Sequence, residues 1–304
     1  MEAIYRVEGS TVETSAFAGG PWDPKLQHGA APASLICWAV ERLPSSVPMR
    51  VARLTVDLMR PVPVAPLTIA IEVLREGRKI QLVQVRLLAN GTEVVRATAL
   101  RVRREERALP SPASTPPHDM RGPEMLRDPM TAGMGQTPFL SAISMRIARG
   151  SFQLPGPAAV WYRAVRPIIE GAPISPLMRA AIAADFCNGT SAVLDFSQWT
   201  FINGDLTLSL AREPVGEWIL LDAETWARPG FDRHCGRPSR RPRRLFRPRR
   251  PERAVREATL PVTAEQPARI LSAWLGGSGS ISAAHSRTSP WWTIRAVASA
   301  LPRR

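Results

Sequence analysis

The order of helical and strand patterns is the feature that most restricts the fold of this chain. An N-terminal strand precedes a helix over residues 27–43, where apolar residues recur at helical spacing. Four runs of alternating apolar and polar residues follow, at 51–60, 66–74, 79–89 and 92–103. Asn90-Gly91 joins the last two runs and predicts a tight hairpin, because both positions tolerate positive φ. This order predicts an α+β fold in which an antiparallel sheet wraps a long helix.

The same order returns in the second half of the chain. Residues 158–166 predict a strand, and Ser175-Pro176 predicts a helix start, because serine caps helices and proline suits the first turn. We expect this helix to end at Asn188-Gly189, and strands to follow at 200–210 and 216–226. The repeated order indicates an internal duplication whose second copy lacks its last two strands.

These patterns divide the chain into four parts. We predict an N-terminal repeat over 1–104, a proline-rich linker over 105–150, a truncated C-terminal repeat over 151–227 and an arginine-rich tail over 228–304. Seven prolines between 110 and 138, with no sustained periodicity, predict the linker. We expect the tail to be disordered and residues 231–304 to be irregular or weakly packed.

Nearly all of the net charge of +14 lies in that tail. Residues 228–304 hold 17 arginines and 4 acidic residues, whereas 1–227 hold 23 basic residues against 22 acidic ones. Arginine blocks of this kind can bind phosphate backbones by charge, and a solvated disordered tail is a second interpretation. The near-neutral remainder does not share this character, so we do not expect nucleic acid to be the partner of the folded part.

A third interpretation of the tail is a frameshift near Gly230. The arginine-rich text begins in mid-domain, where two strands are expected, and the chain has only two lysines beside 38 arginines. Such text is typical of a GC-rich gene translated in a wrong frame. Back-translation from residue 231, read one nucleotide later, can give a strand–turn–strand ending followed by a stop. We therefore hypothesise a frame error in the gene or in the sequencing read.

Several stretches together resemble one known family. In the first half these are QHGAAPASLICWAVE, ARLTVDLMRPVPVAPLTIAIEVLREGRKIQLVQVRLL and NGTEVVRATALRVR; in the second they are SPLMRAAIAADFCNGTSAVLDF and FINGDLTLSLAREPVGEWILLDAETW. They resemble the double-hotdog acyl-CoA thioesterases of the thioesterase II type, over most of residues 1–227. The resemblance implies a double hotdog fold, hydrolysis of fatty acyl-CoA to free fatty acid and CoA, no cofactor, and a homo-oligomer.

Thioester hydrolysis requires a polarised carbonyl, a positioned water and a group that orients or deprotonates that water. Asp185 is the leading candidate for this group, because it shares a helical stripe with Met178, Ala181 and Ile182. By resemblance it corresponds to the aspartate that orients water in thioesterase II enzymes. The alternative is a carboxylate that caps the following turn.

Asn203 corresponds by resemblance to a hydroxyl-bearing residue near the water, and here it is an amide. Its alternative role is that of a strand-edge residue before Gly204-Asp205. Thr207 is a weaker substitute. The family's third residue, a glutamine on the last strand, has no match, and Gln266 has the wrong surroundings.

His28-Gly29 opens the first helix. We predict a substrate-binding position at which the backbone approaches the thioester or pantetheine closely. The alternative is a helix-start glycine beside a solvated histidine, and for the His28 side chain we favour the solvated interpretation. A hotdog hydratase is disfavoured at this stage, because the Asp/His pair that it would need beside the helix is not evident.

Other classes of function find little support. The sequence has no GxSxG motif, its four histidines lack metal-ligand spacing, and its three cysteines form no CxxC pair. No apolar run is long enough to span a membrane and no secretory signal is evident, so we expect a cytoplasmic protein. The alternatives that remain are a non-catalytic acyl-CoA-binding hotdog protein and nucleic-acid binding through the tail.

Overall fold

A computed structural model describes residues 2–105, 119–127, 129, 137–194 and 201–226, together with the backbone of 283–284, 292–299 and 301–302. The strands of the first half are β1 (Tyr5–Glu8), β2 (Thr11–Thr14), β3 (Met49–Asp57), β4 (Leu67–Arg75), β5 (Ile80–Ala89) and β6 (Thr92–Arg103). Those of the second half are β7 (Ile143–Arg149), β8 (Ala158–Ala164), β9 (Phe201–Ile202), β10 (Asp205–Ser209) and β11 (Ile219–Trp226). The helices are α1 (Ala30–Glu41), α2 (Pro176–Asp185) and the short α3 (Cys187–Thr190).

The first sheet has seven strands in the order β1-β2-β4-β5-β6-β3-β10, all antiparallel. The four predicted runs of the first half form β3 to β6, and Asn90 has the positive φ, 48°, that the hairpin turn requires. Strand β10 comes from the second half but pairs with β3, from Asp205 opposite Asp57 to Ser209 opposite Arg53. The sheet of the first repeat is thus completed by a strand of the second.

The second sheet is built on β7, β8 and β11. Strand β7 pairs antiparallel with β8, and β8 pairs antiparallel with β11. The prediction of a linker up to residue 150 is wrong for Ile143–Arg149, which form β7. The prolines that predicted the linker stop before this segment. Ile143 and Met145 lie two positions apart and are both buried, as expected for a strand with one face on the core.

Helix α1 is buried on almost every side rather than on the single face that its pattern predicted. Ten of its twelve residues are buried, because the sheet covers one side and α2 packs against the other. Helix α2 begins as predicted: the Ser175 hydroxyl accepts the Met178 N–H at 3.1 Å and Pro176 is the first helical residue. It ends at Asp185, so Asn188-Gly189 lies inside α3 and does not end the helix.

Three short parts of the tail are described, by their backbone alone: β12 (Ala283–Ala284), β13 (Trp292–Ser299) and β14 (Leu301–Pro302). Strand β13 runs parallel to β11, from Ile219 opposite Trp292 to Trp226 opposite Ser299. The expectation of irregular structure over 231–304 is therefore wrong for these segments. An unpaired edge of β11 would leave its backbone N–H and C=O groups without hydrogen-bond partners, and β13 supplies those partners.

Candidate active site

The end of α2 meets the start of α1, and this contact builds the candidate site. Asp185 is the last residue of α2, and Gly29 is the N-cap of α1. A Cβ atom on Gly29 would lie 2.8 and 2.9 Å from the two carboxylate oxygens of Asp185, distances that real Cβ atoms do not show. Gly29 has an ordinary helical φ of −57°, so glycine is required here by the space and not by the backbone conformation.

Asp185 is almost completely buried, with 5 % of its surface exposed. A buried carboxylate is stable only when its oxygens are paired, because desolvation of the charge is otherwise too unfavourable. The amide of Asn203, directly after β9, donates to Oδ1 of Asp185 at 2.8 Å and to its backbone oxygen at 2.9 Å. Asn203 therefore lies beside the candidate carboxylate, as its predicted assisting role requires.

His28 provides the second partner of the carboxylate. Its Nδ1 lies 3.0 Å from Oδ2 of Asp185. Its ring stacks on Phe139 and lies tilted against Phe186, and each of these ring centroids is 4.7 Å from that of His28. The His28 side chain is 11 % exposed, so the favoured interpretation of a solvated histidine is wrong. The sequence could not show this, because Phe139, Asp185 and Phe186 all lie more than 100 residues after His28.

The Asp/His pair that was not evident in the sequence is thus present. It lies at the start of α1, where the Ala30 N–H donates to Nδ1 of His28 and the Ala31 N–H donates to the backbone oxygen of His28. The helix dipole favours negative charge at this position. A carbonyl oxygen held at this helix start would be stabilised as it gained negative charge. The arrangement can therefore polarise a carbonyl and hold an oriented Asp/His pair next to it.

Asn188 is a site residue that the sequence reasoning missed. Its amide donates to Oδ1 of Asn203 at 2.6 Å, which fixes the orientation of the Asn203 side chain. Its own Oδ1 is buried and has no hydrogen-bond partner among the described residues. Asn188-Gly189 was interpreted only as a helix terminator, and the short α3 that carries Asn188 instead places its side chain against Asn203.

Thr207 is not brought into this cluster. Its hydroxyl lies 3.4 Å from that of Thr55 across the β3–β10 pair, and no hydrogen bond within the described residues joins it to Asp185. Its role as a weaker substitute stays a prediction. Gln266 lies outside the described residues.

Two neighbouring ionisable groups stay neutral near physiological pH. Burial raises the pKa of the Cys187 thiol to about 12, and the charges of Asp185 and Asp205 add to this effect. Burial also raises the pKa of Tyr162, whose ring stacks on Phe186. Neither group can exchange a proton readily with a substrate.

The described part of the chain holds neither a candidate metal-binding cluster nor a candidate membrane-spanning helix. No group of three His, Cys, Asp or Glu side chains there is arranged to hold a metal ion. Across the same residues, no helix has the length and apolar character needed to cross a bilayer.

Two models of known protein families match the chain. Residues 18–102 match the acyl-CoA thioesterase N-terminal domain, and residues 112–232 match the acyl-CoA thioesterase C-terminal domain. Together the two matches cover about two thirds of the chain. The chain belongs to the acyl-CoA thioesterase family. The family match ends at residue 232, close to the point where the arginine-rich tail begins.

Several solved structures share the fold of this chain. A hot dog fold protein of unknown function from Alicyclobacillus acidocaldarius matches with a TM-score of 0.54 and 18 % identity, over 69 % of this chain and 76 % of that one. A putative thioesterase II from Thermobifida fusca matches with a TM-score of 0.53 and 15 % identity, over 71 % and 80 %. A putative thioesterase from Novosphingobium aromaticivorans matches with a TM-score of 0.52 and 20 % identity, over 72 % and 84 %.

These matches confirm the α+β double hotdog fold of this family member. No curated protein gives a significant sequence match.

Proposed function

We propose that the chain hydrolyses fatty acyl-CoA to free fatty acid and CoA by attack of a water molecule that Asp185 orients. The observation that carries this proposal is the meeting of the Asp185 carboxylate with the N-terminus of α1. Family membership supports thioester chemistry, and the dipole at the start of α1 favours negative charge on a thioester oxygen held there. Asn203 assists by holding one oxygen of the carboxylate, and Asn188 holds Asn203.

Release of free thiol from acyl-CoA substrates tests the proposal. We expect the full-length protein to release CoA, and Asp185→Ala to lower kcat by about 10²-fold or more, because general acid–base groups contribute on this order. Asp57→Ala is the matched control, since Asp57 is an exposed aspartate on β3, and should leave kcat unchanged. Equal thiol release by wild type and Asp185→Ala would contradict the assignment.

The same measurement separates an enzyme from a non-catalytic binder. A binder would take up acyl-CoA, seen as heat in a titration calorimeter, yet release no thiol. This outcome would keep the acyl-CoA ligand and reject hydrolysis.

The Asp185–His28 pair favours a second candidate, a hotdog hydratase, because such an enzyme needs an Asp/His pair beside the helix. A hydratase would add water across the double bond of a 2-enoyl-CoA and leave the thioester intact. Loss of the enoyl thioester absorbance without release of free thiol would establish hydration. Release of free thiol from the same substrate would establish hydrolysis.

A further inference from the structure

We propose that Asn188 is a positioning residue of the reaction, which fixes the amide of Asn203 so that Oδ2 of Asp185 is the oxygen left to hold the attacking water. This inference deepens the proposed function, on which it rests. It names the water-binding atom of the carboxylate and a residue that acts on the carboxylate through a neighbour.

The hydrogen bonds around Asn203 run in one direction only. Its side-chain nitrogen lies 2.9 Å from the backbone oxygen of Asp185 and 2.8 Å from Oδ1. A backbone oxygen can only accept a hydrogen bond, so the NH₂ group of Asn203 must face Asp185. The side-chain oxygen of Asn203 therefore faces the other way, toward the amide nitrogen of Asn188 at 2.6 Å. Donation thus runs from Asn188 through Asn203 to Asp185.

This direction leaves the two carboxylate oxygens of Asp185 unequal. Oδ1 accepts the Asn203 amide, whereas no hydrogen bond within the described residues reaches Oδ2. Nδ1 of His28 lies 3.0 Å from Oδ2, but this nitrogen accepts the backbone N–H of Ala30. Oδ2 also lies at the start of α1, since a Cβ on Gly29 would be 2.9 Å from it. A water molecule that donates to Oδ2 would lie where the helix dipole favours negative charge on a thioester oxygen.

The other end of the Asn188 amide argues against a purely structural role for this residue. Asn188 is 9 % exposed, and its Oδ1 is buried without a hydrogen-bond partner among the described residues. A buried acceptor without a partner lowers stability, so packing alone would favour an apolar side chain here. The N–H donor is therefore the part of the side chain that the site uses.

Helix α3 holds this donor in a fixed place. The Thr190 hydroxyl lies 2.7 Å from the hydroxyl of Tyr162 on β8, and the Ser191 hydroxyl lies 2.8 Å from that of Thr225 on β11. All four of these side chains are buried. Asn188 is thus preorganised by the second sheet, as the positioning of a catalytic group requires.

Asn188→Asp is the sharpest test, because aspartate has the shape of asparagine but, as a carboxylate, has no N–H to donate. The Asn203 amide would then turn its NH₂ group toward position 188 and its oxygen toward Asp185, where two acceptors repel each other. We expect kcat for thiol release to fall by about 10²-fold, the effect of displacing a catalytic group by about 1 Å. KM should stay near the wild-type value, because Asn188 acts through Asn203 and not on the bound substrate.

Asn188→Ala removes the donor without reversing the Asn203 amide. Its kcat should fall by only about 10-fold, as for the outer hydrogen-bond partners that orient the ligands of metal sites. A side chain that only fills space would give the opposite order, because aspartate keeps the volume that alanine loses. Gly189→Ala on the same helix is the matched control, since a Cβ there meets no atom within 4 Å, and it should keep wild-type kcat. Thermal melting of each full-length variant checks that it is folded.

The same substitutions in an Asn203→Ala protein separate reversal of the amide from the added charge. With no amide at position 203 to turn, Asn188→Asp and Asn188→Ala should both leave kcat close to that of Asn203→Ala alone. Additive losses of kcat for Asn188→Ala and Asn203→Ala would overturn the role of Asn188, and so would a milder loss for Asn188→Asp than for Asn188→Ala in the otherwise wild-type protein. Absence of thiol release by the wild-type protein would instead overturn the proposed function, so the two failures are distinguishable.

Discussion

At the scale of single residues, the contact between Gly29 and Asp185 decides the geometry of the site. The carboxylate occupies the place that any larger residue at position 29 would need. Because Gly29 is in a helical conformation, alanine there would suit the backbone and even favour the helix. The cost of a substitution should therefore appear in the position of Asp185 and in activity, more than in stability.

We expect Gly29→Ala to lower kcat by about 10²-fold, because displacement of a catalytic group by about 1 Å has an effect of this size. The measurement is the rate of thiol release, beside the melting temperature. Gly189→Ala in α3 is the matched control, since a Cβ at Gly189 meets no atom within 4 Å, and it should keep full activity. A Gly29→Ala protein with wild-type kcat would show that the carboxylate position is not critical.

The residue scale also marks the limit of what the sequence could predict. Asp185, Asn203 and Gly29 were identified as candidates and lie together, although their roles stay predictions. The environment of His28 was predicted wrongly, because its partners are far away in the sequence. Asn188 was missed for a related reason: its Asn-Gly context is typical of a turn and gives no sign of a buried amide.

At the scale of elements, the two central helices meet at both ends. At the site, the end of α2 contacts the start of α1; at the other end, the Ser175 hydroxyl donates to Oε2 of Glu41 at 2.6 Å. Each helix thus ends with an acidic side chain directed at the start of its partner. The strands and helices themselves could be predicted because burial on one face leaves a period in the sequence. The pairing of β10 with β3 could not be predicted, because the alternation of apolar and polar residues does not show which strand is the partner.

Arg101 on β6 ties the end of α1 to the sheet. It is 5 % exposed, donates to Oε1 of Gln81 at 2.5 Å and to the backbone oxygen of Leu43 at 3.1 Å, and burial lowers its pKa. Arg101→Ala leaves both acceptors without this donor inside the protein. We expect the free energy of unfolding to fall by about 2–3 kcal/mol, measured by denaturant titration.

The control for this prediction is Arg103→Ala, two residues further along the same strand. Arg103 pairs with Glu105 near the surface, and exposed ion pairs contribute only about 0.2–1 kcal/mol. Equal losses for the two variants would mean that the link between α1 and the sheet adds nothing to stability.

At the scale of the whole molecule, the tail meets the folded part at the edge of β11. Strand β13 pairs with β11 in parallel, whereas the other pairings described in both sheets are antiparallel. The frameshift near Gly230 remains a hypothesis, and resequencing the codons for residues 226–235 tests it. An intact reading frame there would reject it.

We predict that a chain ending at Ala227 is less soluble and melts at a lower temperature than the full chain. The reason is that one edge of β11, along Ile219–Trp226, loses its pairing with β13. Size-exclusion chromatography and thermal melting measure both effects. A shortened chain that is as soluble and as stable as the full one would show that the tail adds nothing to the fold. Salt-dependent DNA binding that disappears on this shortening would instead support a nucleic-acid role for the tail.

The placement of Gly29 and His28 on one repeat and of Asp185 and Asn203 on the other has a consequence for turnover. Neither repeat holds all four residues, so the proposed centre is complete only when the two repeats are docked. The turnover rate should therefore depend on the docking of α1 against α2. A change that lets the two repeats separate for part of the time should lower the turnover rate in the same proportion, well before the chain unfolds.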